Sequence, residues 1–150
     1  MSSPTREKVL ASIERGTVFY YSTNIANRDG TAFRGSRYFV VLNSNPKTDD
    51  FIILATITTQ IANQSKFIKK VGEDPSTLVH VNPTDFAPLK VESVVSCNRV
   101  YPTTLNTLIK NIEGGGKMFD EKLPKPIMSA IVSGVMKSGQ IESEYKAILL

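Results

Sequence analysis

Apolar and polar positions along this chain change period several times, and the changes divide it into elements. "SPTREKVLASIERG" sets Val9, Leu10 and Ile13 on one helical face, with Pro4 in the first turn and Gly16 as a stop, which predicts a short N-terminal helix. "TVFYYST", from Thr17, is rich in β-branched and aromatic residues and predicts a strand. "NIANRDGTAFRGS" has turn-forming Asn, Asp-Gly and Gly without periodicity and reads as a long loop. "RYFVVLNS" and "DFIILATITT" are nearly continuous apolar runs around the turn chemistry of "NSNPKTDD". Runs of that kind fit strands covered on both faces or wrapped into a barrel.

"SKFIKKV", "TLVHVN" and "SVVSCNRVYP" add three further strands by alternation, the last after a two-proline segment. Six short strands with turns and no intervening helix predict a small antiparallel barrel. After Leu105 the period becomes helical. "TLNTLIKNIEGGG" ends at the glycines 114–116, and "LPKPIMSAIVSGVMKSG" repeats Ile127, Ile131 and Val135 on one face, with Gly134 as a weak point. "IESEYKAILL" closes the chain with a last helical turn or two. The expected class is mainly β with helices, α+β: a barrel domain with its N-terminal helix over 1–112 and a C-terminal helical extension over 113–150, packed on the same domain.

Composition narrows this little. With 150 residues, 41% hydrophobic and 21% charged, the chain has the make-up of one ordinary globular domain. A single cysteine, Cys97, allows no internal disulfide and fits a reducing cytoplasm. No apolar run reaches the ~18 residues of a membrane span, and no signal-peptide core opens the chain. Cytoplasmic, without a membrane partner, is the expectation. The net charge of +4 tolerates a nucleic-acid partner without demanding one. Its placement is more informative: Arg28, Arg34 and Arg37 crowd one stretch, and Lys66, Lys69 and Lys70 another.

Much chemistry is missing. One histidine and one cysteine cannot build a structural zinc site, so no metal and no cofactor are expected. His80 and Cys97 both fall in apolar β segments, where a cysteine is usually inert. "GGGK" at 114–117 lacks phosphate-loop spacing and reads as a hinge. No paired carboxylates stand out, and without tryptophan the scattered tyrosines offer no evident stacking platform.

Strand order and motif residues together resemble a known family. "RGTVFYYS", a glycine-containing loop, "GSRYFVVLNSN" and "FIILATITTQ" resemble the core of the PemK/MazF-like proteins, and "LKVESVVSCNRVYPTT" resembles their later strand. The likeness spans roughly 15–112. It implies an SH3-like barrel and a metal-independent endoribonuclease toxin, cutting single-stranded RNA and neutralised by a small antitoxin protein. Family members often pair as homodimers. Carried onto this sequence, the resemblance makes Arg37 and Thr58 catalytic, with Thr59 and Gln60 continuing the same segment. Arg28, Arg34 and Lys66 could hold flanking phosphates. Tyr38 stands where the family usually has proline, and "GTAFRGS" replaces its usual loop. The alternatives are a non-catalytic SH3-like module that binds RNA or a protein, and an assembly protein joined through its helical tail.

Overall fold

The structure, a computed structural model, describes residues 3–22, 25–26, 32–33 and 35–150. Among these, a seven-stranded antiparallel sheet and five helices make an α+β fold, the class expected from the sequence. Helix α1 (Pro4–Ser12) leads into β1 (Thr17–Ser22), then a two-stranded ribbon of β2 (Ile25–Ala26) and β3 (Ala32–Phe33). β4 (Ser36–Val41), β5 (Ile52–Thr58) and helix α2 (Ile61–Val71) follow. β6 (Leu78–Val81), β7 (Ser93–Ser96), β8 (Tyr101–Thr103) and α3 (Leu105–Glu113) come next. β9 (Lys117–Lys122), α4 (Lys125–Lys137) and α5 (Ser143–Ile148) end the chain.

The sheet runs β6-β7-β5-β4-β1-β9, and β8 pairs with the first half of β5 while β7 pairs with its end. No ladder joins β6 to β9 among the described residues, so hydrogen bonds do not close the expected barrel. Why β1, β4 and β5 are apolar on both faces is plain from what covers them. Val18, Val40, Ile53, Ala55 and Ile57 point inward to a core completed by Phe86, Phe119, Ile131 and Val135. The alternate residues Phe19, Phe39, Val41, Ile52 and Leu54 pack outward under Val9 and Ile13 of the N-terminal segment and Leu108 and Ile109 of α3. A strand alternates its side chains, so burying both faces removes the polar half of the pattern.

Three expectations need correction. "SKFIKKV" belongs to helix α2, which starts before it at Ile61 and ends where Gly72 takes the left-handed conformation, φ 73°. A seven-residue window hid the helix: Lys69 and Lys70 sit in its last turn, where cations favour the helix dipole. "SVVSCNRVYP" is two strands, β7 and β8, separated by a turn at 97–100. The segment after the triple glycine is not only helical. It enters β9, which pairs antiparallel with β1, and the residues beyond 112 therefore supply sheet edge and core as well as helices. α4 runs unbroken through Gly134 because the glycine is where helix and turn meet: a Cβ built there would stand 2.6 Å from Cys97 Sγ.

Candidate functional site

Arg37 and Thr58 come from facing ends of neighbouring strands. β4 and β5 are antiparallel, with Tyr38 opposite Ile57. One further step along that register sets Arg37 opposite Thr58, and directly opposed residues share a face. That face is the outer one, since Phe39 and Leu54 lie on it by alternation. Both side chains line a cleft of about 790 Å³.

The cleft has a sheet floor and two walls. Arg37, Thr56 and Thr58 contribute from the floor. Helix α2 forms one wall through Asn63, Gln64, Lys66, Phe67 and Lys70, spaced three and four apart and so on one helical face. Ser96, Arg99 and Tyr101, around the β7–β8 turn, form the other. Thr59 and Gln60 stand at the mouth, where β5 passes into α2. Of the residues singled out in the sequence, Arg37, Thr58, Thr59, Gln60 and Lys66 thus meet at one place. Arg28 and Arg34 lie outside the described residues.

The described lining of the cleft carries four cationic side chains, Arg37, Lys66, Lys70 and Arg99, and contains no carboxylate and no imidazole. The Thr58 hydroxyl is already oriented: its Oγ1 accepts the Gln60 backbone N–H at 3.1 Å, which leaves its own proton to donate. Gln60 Oε1 accepts from Asn63 Nδ2 at 3.0 Å. Gln64 Oε1 is buried in the α2 wall with no hydrogen-bond partner among the described residues.

Arg99 and the aromatic residues were not identified from the sequence, and Lys70 only as part of a basic cluster. Tyr20, Tyr38, Tyr101 and Phe67 all reach the cleft; the Tyr20 and Tyr38 rings, on the sheet face opposite Arg37, are tilted at 42° with centroids 4.6 Å apart. Burial, and then the neighbouring Tyr20, raise the Tyr38 hydroxyl above its ordinary range, so it remains a donor. The tyrosines looked scattered because they come from three strands; only the β1–β4 register, Tyr20 opposite Tyr38, gathers them. Arg99 was hidden inside a supposed strand. It rides on a turn anchored from below: Asn98 donates to Thr77 Oγ1 at 2.9 Å and accepts from Ser138 Oγ at 2.6 Å. The guanidinium of Arg99 lies over the Tyr101 ring, 4.8 Å from its centroid.

Elsewhere, His80 and Cys97 do not form a nucleophilic pair. His80 Nδ1 meets exposed Glu92 Oε1 at 3.1 Å, whereas Cys97 is fully buried and burial pushes its thiol up to about 12. Among the described residues no three His, Cys, Asp or Glu side chains gather as metal ligands, and no helix is long and apolar enough to cross a membrane. No protein-family model matches this chain, and neither does any curated protein.

Proposed function

We propose that this chain is a metal-independent endoribonuclease that cuts single-stranded RNA in the Arg37–Thr58 cleft. The reaction is attack of a ribose 2′-hydroxyl on the adjacent phosphate, leaving a 2′,3′-cyclic phosphate and a 5′-hydroxyl. Negative charge builds on the phosphorane oxygens. Arg37 offers that charge a planar pair of donors that stay protonated throughout. Thr58 adds a hydroxyl donor, preset by the Gln60 N–H. Preorganised donors of this kind each lower a barrier by about 3 kcal/mol. Lys66, Lys70 and Arg99 hold the flanking phosphates, and the tyrosines take splayed bases, which only an unpaired strand presents. The observation that carries the reading is the opposition of Arg37 and Thr58 across β4 and β5 in a cleft that Lys66, Lys70 and Arg99 also line.

The family resemblance extends this to a cytoplasmic toxin, held in check by a small acidic antitoxin laid over the same cations and forming a homodimer. The direct test is incubation with single-stranded RNA in EDTA, with the product ends mapped. Cyclic-phosphate and 5′-hydroxyl ends support the reading; intact RNA overturns it.

One observation favours a second reading. The described lining holds no carboxylate or imidazole to accept the 2′-hydroxyl proton. A non-catalytic SH3-like module would use the same cations to hold RNA or a protein partner. It predicts a salt-sensitive RNA complex without cleavage products.

A further inference from the structure

The cleft does not end at Arg99. Between the outer sheet face and α3 lies a second cavity of about 250 Å³, and Arg99 and Tyr101 belong to both linings. Its floor is aromatic: Tyr21 stacks on Phe39 at 4.6 Å, and Tyr101 meets Phe39 edge-on at 6.0 Å. Its far side is polar, with Thr107 and Asn111 one helical turn apart on α3. Asn111 is hydrogen-bonded to the Tyr21 hydroxyl and retains further amide capacity.

Such a lining is poorly made for a phosphate, which gains nothing from an apolar floor. It is too small for the drug-sized ligands that fill cavities of about 300–1,000 Å³. It matches a flat group with apolar faces and hydrogen-bonding edges. We infer that this cavity receives one nucleobase of the bound strand, splayed from the cleft past Arg99, with Tyr101 against its ring and Asn111 and Thr107 reading its edge. The inference rests on the RNA reading of the cleft and makes the α3 side its specificity pocket.

The test uses the full chain and fluorescent RNA hexamers, blocked against cleavage by 2′-O-methyl groups, with one abasic nucleotide placed at each position in turn. One position is expected to stand out, its missing base weakening binding about 10-fold or more, the scale of one stacked base. Thr107→Phe fills the cavity from an exposed helical site and keeps the backbone N–H that Thr104 caps. Asn111→Leu removes the edge contacts. Either variant should abolish the position-specific loss. An equal loss at every position, or a position-specific loss unchanged in both variants, overturns the pocket. Unblocked hexamers separate the two ideas. Cleavage without a special position sinks the pocket alone, a special position without cleavage sinks the nuclease alone, and failure to bind any hexamer sinks both.

Discussion

Asn98 links a buried polar network to the cleft. Its amide spans Thr77 and Ser138, and Thr77 Oγ1 in turn donates to the Asp74 carbonyl at 2.6 Å, so every member is satisfied. The neighbouring residue in the turn is Arg99. Replacing Asn98 by Ala takes one of two bonds from Thr77 Oγ1 and leaves the buried Ser138 hydroxyl proton without its acceptor, an unsatisfied donor that costs about 1–3 kcal/mol. We expect Asn98→Ala to lower urea stability by about 2–4 kcal/mol and, at temperatures where it remains folded, to weaken RNA binding through a displaced Arg99. Unchanged affinity would confine Asn98 to stability. Cys97, next to it, gives a pH signature. In the unfolded chain a thiol titrates near 8.5, but the buried thiol holds its proton to about 12. Above roughly pH 8.5 the native state therefore binds more protons than the unfolded one, and stability falls as pH rises, by up to about 1.4 kcal/mol per unit. Tyr21, raised by burial to about 12, adds to the same loss only above about pH 10. Urea midpoints between pH 8.5 and 9.5 should fall in the native protein and stay nearly level in Cys97→Ala. An equal slope in both would show that Cys97 is not the titrating group.

At the level of elements, α4 and the β7–β8 turn approach more closely than any side chain at 134 would allow. A Cβ there would stand 2.6 Å from Cys97 Sγ and 2.9 Å from its Cβ. Ala gains about 1 kcal/mol of helix propensity over Gly. Overpacking a close contact costs about 1–3 kcal/mol, so the clash should win. Gly134→Ala is expected to destabilise by up to about 2 kcal/mol in urea, and less in a Cys97→Ala background, where the sulfur is gone. A stabilised Gly134→Ala would mean the helix can shift freely. The same positions explain what the sequence disclosed. β1, β4 and β5 were legible because each is a long run of β-branched and aromatic residues. α2 was misread because its buried stripe is thin, with Ile68 its one fully buried side chain. β9 escaped because only Met118 and Phe119 are buried, side by side on opposite faces, and the rest of "KMFDEK" is charged. Arg37 and Thr58 were singled out through the family resemblance. Arg99 and the tyrosines were not, and Lys70 was legible only as one of a basic cluster, since a helix face and a turn bring them in.

Across the whole molecule, chain ends and strands are tied together behind the cleft. Arg15 Nε donates to the Leu42 carbonyl at 2.7 Å and its guanidinium also donates to the Leu149 carbonyl at 2.6 Å, clamping the end of α5 to the β4–β5 connection. β9 flanks β1, and α4 fills the inner core. The cleft is thus built on a sheet held from both sides, which suits a site that must present fixed donors to a transition state. Convergence of Arg37 and Thr58 is the centre of this account, and a double-mutant cycle on RNA cleavage in EDTA tests it most directly. Arg37→Ala and Thr58→Val should each lower kcat/KM by about 10²–10³ without loss of fold by circular dichroism. If both donors serve one transition state, the double variant should lose much less than the product of the single losses. Full activity in either single variant, or losses that simply multiply, would contradict a shared site.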